Sequence, residues 1–280
     1  MMSGDDQEIR SADGTRLMVR RAGTGDPVVL LHGSGGGPHS WAAVAQRLAG
    51  SYELWMPARR GYGPSDVPAG RKSFQDEVTD LVAVIEAAGQ PVHLVGGSYG
   101  ATLALHTAAA EPGRLRSLAV FEPPLFAAGP SIEPLLDRYR AALERPDAGE
   151  MFAVLNEVTQ VPHSIVAALA AGAGDKRPDP DEARRSAIGW LHDLEALADD
   201  STDTARWSSI TVPTLLTQGA DTWEPMPTTM EALAAALPAA RRVIWPGQSH
   251  FVTMSAPDLL AGELLAFFAE VSTSPGMPAD

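Results

Sequence analysis

The 280-residue sequence contains no cysteine. Disulfide bonds, thiolate nucleophiles and zinc sites built from thiolates are therefore excluded. Positive charge is also scarce: 21 lysines and arginines stand against 35 aspartates and glutamates, and the net charge is −14. Nucleic acids and anionic membrane surfaces carry negative charge themselves, so a chain this acidic is poorly suited to bind them. We expect neither as a partner.

Long apolar runs are missing as well. No apolar stretch is long enough to span a bilayer, and the acidic N-terminal residues lack the apolar core of a signal peptide. Hydrophobic residues make up 45% of the chain and charged residues 20%, which is ordinary for a globular enzyme. We expect a cytoplasmic protein that acts on a small-molecule substrate without a cofactor or metal, as a monomer or homodimer.

Apolar strands alternate with amphipathic helices along most of the chain. Residues 28–31 form a continuous apolar run, as is typical of a strand buried on both faces, and the segments 92–95, 115–121 and 214–218 also read as strands. Between two of these strands, apolar residues recur at helical spacing from Phe74 to Ala88. Strands that alternate with helices form mostly parallel sheets with helices on both faces. The pattern therefore predicts an α/β fold.

The alternation stops between residues 123 and 209. This stretch is rich in alanine, leucine and charge, and it combines helical periodicity with proline breaks. We interpret it as a helical cap inserted between two strands of a core formed by residues 1–122 and 210–271. Residues 272–280 are rich in serine, proline and glycine, which predicts a disordered tail.

The most informative motif is Gly96-Gly97-Ser98-Tyr99-Gly100, which lies between an apolar strand and an Ala/Leu-rich helix. A serine on such a tight strand-to-helix turn has a strained backbone, and its hydroxyl projects from the end of the sheet. A side chain at Gly96 or Gly100 would collide with the neighbouring strand or helix. The helix that begins at Tyr99 directs its positive dipole end toward the hydroxyl. This context predicts Ser98 as a nucleophile.

A serine nucleophile needs a base and a carboxylate that orients the base. His250 follows an apolar strand and precedes the last helix, so its loop can reach the sheet edge where Ser98 emerges. His32 is the competing base. Two carboxylates follow strands and are candidates for the acid. We favour Asp221, which gives the chain order Ser, Asp, His, and keep Glu122 as the alternative.

The glycine loop, residues 33–37, directly follows a buried strand. An oxyanion hole needs two backbone N–H groups, and we predict those of Tyr99 and Ser34. The loop lacks the Gly-Lys-Ser/Thr ending of a phosphate loop, so nucleotide binding is not predicted. Several large apolar side chains of the cap are candidates for a substrate pocket, although packing within the cap explains each of them equally well. They are Phe126, Trp190, Trp207, Met151 and Phe152.

Together these segments resemble the α/β-hydrolase fold family. The matching pieces are LHGSGG at 31–36, RGYGPS at 60–65, GGSYG at 96–100, PTL and GAD within 213–221, and GQSH at 247–250. The resemblance implies a sheet of about eight strands with a lid over the site. It also implies Ser98 as nucleophile, His250 as base, and the N–H groups of Ser34 and Tyr99 as the oxyanion hole. The family usually places its acid three residues after the glycine of the late strand, where this chain has Thr222. The acid therefore stays open between the two carboxylates.

The expected activity is cofactor-independent hydrolysis of an ester, thioester or lactone of a small apolar molecule, through an acyl-enzyme on Ser98. Two alternatives stay open. The same acyl-enzyme could be captured by a hydroxyl or amine of the substrate, which would make the protein a cyclase or transferase. The chain could also be a ligand-binding protein without catalysis, although an intact Ser98 and His250 favour an enzyme.

Overall fold

A single eight-stranded sheet organises the computed structural model, which describes residues 4–167 and 179–273. Its strands are β1 (Asp5–Arg10), β2 (Arg16–Ala22), β3 (Asp26–Leu31), β4 (Tyr52–Pro57), β5 (Val92–Gly97), β6 (Leu115–Phe121), β7 (Thr214–Gly219) and β8 (Arg241–Trp245). They lie in the order β1-β2-β4-β3-β5-β6-β7-β8. The two pairings of β2 are antiparallel and the rest are parallel. The prediction of a mostly parallel sheet of about eight strands is confirmed.

Helices cover both faces of this sheet. Those described from end to end are α1 (Ala42–Leu48), α2 (Phe74–Ala88), α3 (Tyr99–Ala110), α4 (Glu133–Glu144), α5 (Ala148–Thr159), α6 (Pro180–Ala198), α7 (Met226–Ala236), α8 (Val252–Ser255) and α9 (Pro257–Thr273). Helices α1 and α9 pack around Trp41 and Phe268 on one face, while α2, α3 and α7 enclose a larger core on the other. Every residue of β5 and of β7 is buried, as expected for central parallel strands.

Local signals fix helix α2 where the periodicity predicts it. The Ser73 hydroxyl accepts from the backbone N–H of Asp76, and the Asp76 carboxylate accepts from the backbone N–H of Ser73, which forms a capping box. Gly89 ends the helix at a φ of 76°, a left-handed conformation that glycine adopts without steric cost.

Between β6 and β7 the described residues form helices and no strand, as predicted. We call residues 123–209 the cap. Asp179 caps the start of helix α6 of the cap, because its carboxylate accepts from the N–H groups of Asp181 and Glu182. At Gly189 this helix packs directly on the core, because a Cβ there would lie 2.4 Å from the Tyr62 ring.

The predicted tail begins inside a helix. Helix α9 runs to Thr273, so residues 272 and 273 are helical, and residues 274–280 lie outside the described residues. Within the described parts of the chain, no helix has the length and apolar character needed to cross a bilayer.

Candidate active site

Ser98 lies on a sharp turn between β5 and α3. Its φ of 55° and ψ of −127° place it in a strained region for a residue with a side chain. A Cβ at Gly96 would lie 2.2 Å from the carbonyl oxygen of Gly100, and a Cβ at Gly100 would lie 2.4 Å from that of Leu31. Only glycine fits at both positions. The turn thus holds the half-buried Ser98 at the carboxyl edge of the sheet.

Glu122 is the carboxylate that meets His250. It directly follows β6, has a φ of 44° and is fully buried. Its Oε2 lies 2.6 Å from His250 Nδ1, and because a carboxylate only accepts hydrogen bonds, that nitrogen carries the proton. The backbone N–H of Gly219 donates to Oε1 at 2.9 Å, and the Thr222 hydroxyl donates to Oε2 at 3.2 Å. Three donors therefore fix this carboxylate, two from the end of β7 and the loop after it and one from the loop after β8.

The preference for Asp221 as the partner of His250 is wrong. The Asp221 side chain is exposed, and its backbone N–H donates to the carbonyl of Gln248 at 2.8 Å. The side chain of the next residue, Thr222, points inward instead, since its hydroxyl donates to the Glu122 carboxylate. The one-residue shift noted in the sequence thus aims Asp221 at solvent and leaves the buried position beside His250 to Glu122.

Aromatic side chains surround the imidazole of His250. The Phe121 ring stacks on it with centroids 5.8 Å apart, and Trp223 and Phe251 present edges at 5.7 and 5.9 Å. The indole N–H of Trp223 donates to the carbonyl of Thr159 at the end of α5, at 3.1 Å. These contacts restrict the orientation of the imidazole and tie the loop after β7 to the cap.

His32, the competing base, is engaged elsewhere. It is buried, its Nε2 accepts from the backbone N–H of Arg59 at 3.1 Å, and its Nδ1 donates to the carbonyl of Gly33 at 2.8 Å. Burial lowers the pKa of His32 to about 3, so the ring stays neutral. With both nitrogens occupied, His32 stabilises the start of the glycine loop and has no free nitrogen for proton transfer.

The glycine loop passes against Ser98. A Cβ on Gly33 would lie 3.0 Å from Ser98 Cβ and 3.6 Å from its Oγ, so the loop backbone comes close to this hydroxyl. Among the described residues, no hydrogen bond is seen from the backbone N–H of Ser34 or of Tyr99, the two predicted oxyanion donors. The structure thus brings the start of the glycine loop against the turn that carries Ser98.

A buried group of charges beneath the loop is absent from the sequence-based prediction. We call Arg59, Lys72, Glu77 and Asp193 the charge cluster. The Arg59 guanidinium contacts Glu77 at 2.7 Å and Asp193 at 2.8 Å, and Lys72 Nζ contacts the same two carboxylates. Burial alone would raise the pKa of Asp193, but the charges of Arg59 and Lys72 hold it well below its usual range. In the sequence, the signal that could have indicated this cluster was Asp193, an aspartate on the apolar face of α6.

A cavity of about 810 Å³ lies between the glycine loop and helices α4, α5 and α6 of the cap. Its apolar lining includes Met151, Phe152, Leu155 and Trp190, and its polar lining includes Glu182 and Arg185. The Trp190 indole also packs on the glycine loop, because a Cβ on Gly35 would lie 2.6 Å from its Nε1.

Two of the candidate pocket residues lie elsewhere. Trp207 is buried in the larger core, where its ring meets His106 edge-on and Arg206 lies over its face, so its assignment to the pocket is wrong. Phe126 is partly buried, packs against the same core and is not among the described lining of the cavity. Within residues 4–167 and 179–273, no group of three or more His, Asp or Glu is placed to hold a metal ion.

A doubly wound sheet with a serine turn after β5 and a histidine loop after β8 defines a hydrolase of the α/β class. Residues 28–263 match the model of the alpha/beta hydrolase family, and the chain belongs to that family. A solved alpha/beta hydrolase from Sphaerobacter thermophilus is 32% identical, with a TM-score of 0.79. The match covers 94% of this chain and 100% of the other.

Curated relatives match over shorter stretches. A haloalkane dehalogenase of Agrobacterium fabrum is 32% identical over 50% of this chain and 47% of its own length. A 2-hydroxymuconate semialdehyde hydrolase of Pseudomonas sp. strain CF600 is 35% identical over 39% of this chain and 40% of its own length. The chain therefore spans less than half the length of these relatives. Their names describe different reactions, so the comparisons establish the alpha/beta hydrolase family and leave the reaction and the substrate of this chain to proposal.

Proposed function

We propose that the protein is a cofactor-independent serine hydrolase that cleaves an ester, thioester or lactone of a small apolar molecule. The observation that carries the proposal is the 2.6 Å contact between the buried Glu122 carboxylate and His250 Nδ1. A carboxylate at Nδ1 keeps the proton on that nitrogen and leaves Nε2 free to act as a base. A strained serine at the same sheet edge supplies the nucleophile.

The reaction begins when Ser98 Oγ attacks the carbonyl carbon while His250 Nε2 takes the hydroxyl proton. Negative charge develops on the carbonyl oxygen, which accepts hydrogen bonds from the backbone N–H groups of Ser34 and Tyr99. The bond to the leaving group breaks, and the imidazolium returns its proton to the departing oxygen or sulfur. Glu122 stabilises the imidazolium during this step.

The second half of the reaction releases the acid. His250 Nε2 takes a proton from water, and the resulting nucleophile attacks the acyl carbon bound to Ser98. The bond between the acyl carbon and Ser98 Oγ breaks, the serine regains a proton from the imidazolium, and a carboxylic acid leaves. The net reaction consumes one water for each ester, thioester or lactone.

The cavity beside the glycine loop is where we place the apolar portion of the substrate, although its described lining includes neither Ser98 nor His250. Its volume of about 810 Å³ lies within the range of small-molecule sites, and its lining from α5 and α6 is largely apolar and aromatic. The relatives include a pimeloyl-[acyl-carrier protein] methyl ester esterase of Aeromonas salmonicida, and an enol-lactonase of Burkholderia xenovorans shares the fold. These names support carboxylic esters or lactones as the first substrates to test.

Labelling with a fluorophosphonate and turnover of p-nitrophenyl esters of increasing chain length test the proposal. We expect the wild-type protein to be labelled on Ser98 and to hydrolyse at least one ester of the series. Ser98→Ala is the matched control, since it removes one hydroxyl and no packing volume. A folded wild-type protein that is neither labelled nor active would favour a ligand-binding protein instead.

A further inference from the structure

Both proposed oxyanion donors are hydrogen-bonded, through their side chains, to the charge cluster. The Ser34 hydroxyl donates to Asp193 Oδ2 at 2.6 Å, and the Tyr99 hydroxyl donates to Glu77 Oε2 at 2.6 Å. Burial raises the pKa of the Tyr99 phenol well above its usual value, so the phenol keeps its proton and remains a donor. The two halves of the proposed oxyanion hole, one on the glycine loop and one on α3, are thus joined through one buried group.

We propose that the charge cluster positions the oxyanion hole, and that Asp193 couples the hole to the cap. This inference rests on the proposed function. Asp193 belongs to α6 of the cap, whereas Ser34 belongs to the core, 159 positions away in the sequence. The cap therefore contributes a group that holds the loop in place, in addition to any contact it makes with substrate.

A second hydrogen-bonded path links Asp193 to the same loop. The Tyr62 hydroxyl accepts from the backbone N–H of Gly35 at 3.0 Å and donates to Asp193 Oδ2 at 2.7 Å. One carboxylate oxygen thus restrains two consecutive residues, Ser34 and Gly35. Glycine restricts its own backbone less than any other residue, so a loop with four glycines in residues 33–37 depends on such contacts for a fixed shape.

Asp193 is itself held rigidly. The Arg59 guanidinium donates to both of its oxygens, at 3.0 and 2.8 Å, and Lys72 contacts Oδ1. Bidentate, charge-assisted hydrogen bonds of this kind are short and geometrically specific. The cluster contains two positive and two negative side chains, so it adds no net charge beneath the hole. Its contribution to catalysis is therefore the placement of N–H groups.

Three substitutions remove these links while leaving the nucleophile, base and acid in place. Ser34→Ala and Tyr62→Phe each delete one hydroxyl, and Asp193→Asn removes the charged acceptor. Because displacement of an oxyanion donor weakens only transition-state binding, we expect kcat for p-nitrophenyl butyrate to fall about 10-fold for each hydroxyl deletion and about 100-fold for Asp193→Asn. The KM should change less than about 2-fold for Ser34→Ala and Asp193→Asn, since neither residue is among the described lining of the cavity. Tyr62 does line the cavity, so Tyr62→Phe is compared by kcat alone.

The second-order rate of fluorophosphonate labelling should fall in parallel with kcat. Ser34→Thr keeps the hydroxyl and should label at close to the wild-type rate. In the double variant, adding Ser34→Ala to Asp193→Asn should cost little more than Asp193→Asn alone, because both act through one contact.

Asp80→Asn is the matched control for loss of a buried ion pair. Asp80 accepts two hydrogen bonds of 2.6 Å from Arg60 and is buried, although slightly less completely than Asp193. Among the described residues, neither Asp80 nor Arg60 is seen to hydrogen-bond the glycine loop. This variant should have a lower Tm than wild type and an unchanged labelling rate per folded molecule. If Asp193 had a purely structural role, Asp193→Asn and Asp80→Asn would show the same pattern, with a lower Tm and an unchanged labelling rate per folded molecule.

Labelling of Ser34→Ala and Tyr62→Phe at the wild-type rate would overturn the inference, as would equal slowing in Asp80→Asn and Asp193→Asn. If Asp193→Asn does not fold, the two hydroxyl deletions decide the question. A wild-type protein that is not labelled overturns the proposed function together with the inference. A labelled wild-type protein with unaffected variants overturns the inference alone.

Discussion

Glu122→Gln tests the proposed catalytic acid most directly, because it preserves shape and changes only hydrogen-bonding character. The backbone N–H of Gly219 donates to Oε1, so the amide oxygen of a glutamine takes that position and its NH2 group faces His250 Nδ1. An NH2 group only donates. The imidazole must then accept at Nδ1 and carry its proton on Nε2, where it cannot take the proton of Ser98.

The magnitude follows from this tautomer argument. A base locked in the wrong tautomer lowers kcat by about 10⁴-fold, or about 5 kcal/mol of transition-state stabilisation. The fold should tolerate the change, since the Thr222 hydroxyl can accept from the new NH2 group and no cavity forms. Steady-state hydrolysis of p-nitrophenyl butyrate measures the loss, and circular dichroism checks the fold.

Asp221→Asn is the matched control, because it makes the same chemical change on an exposed side chain that does not contact His250. We expect its kcat to stay within about 2-fold of wild type, as is usual for surface substitutions away from a site. An inactive Asp221→Asn together with an active Glu122→Gln would refute the assignment of the acid.

Ser98→Ala should abolish turnover and phosphonate labelling with an unchanged Tm, and retained activity would contradict the serine mechanism. Thr222→Val should lower kcat about 10-fold, because it removes one hydrogen bond to Glu122, whereas Thr222→Ser keeps that hydrogen bond and should keep kcat. Equal kcat values for the two variants would argue against a role of the Thr222 hydroxyl in holding Glu122. Gly189→Ala should destabilise the protein by at least about 2 kcal/mol, because its Cβ would lie 2.4 Å from the buried Tyr62 ring. Gly262→Ala is the control: a Cβ there would meet open space on α9, so the free energy of unfolding measured in urea should rise by about 0.5–1 kcal/mol. A Gly189→Ala protein as stable as wild type would contradict the packing of α6 on Tyr62.

The sheet and the sharp turn that carries Ser98 were predictable because their signals are local. The run from Val92 to Gly97 reads as a buried strand, and the glycines at 96 and 100 are explained by backbone clashes within and beside a single turn. His250 was predictable for a related reason, since a loop between a strand and a helix at the sheet edge limits where its side chain can go.

The acid and the charge cluster were not predictable in the same way. Whether residue 221 or 222 points inward depends on the backbone path after β7, which the sequence pattern does not specify. The ion-pair partners of Asp193 are Arg59 and Lys72, which lie more than a hundred positions earlier in the sequence. No periodicity of the sequence links these positions. Trp207 was misassigned because a large aromatic side chain in a cap suits a core as well as a pocket.

The contacts of the site also set the order in which the site can form. Glu122 and His250 are 128 positions apart, and Ser34 and Asp193 are 159 apart, so each contact closes a long loop of chain at an entropic cost. The turn at Ser98 needs only β5, α3 and their immediate neighbours. We therefore expect the turn at Ser98 to form before His250 reaches it during refolding, because His250 depends on the pairing of β8 with β7. The reactivity of Ser98 toward a phosphonate should then appear only when folding is complete.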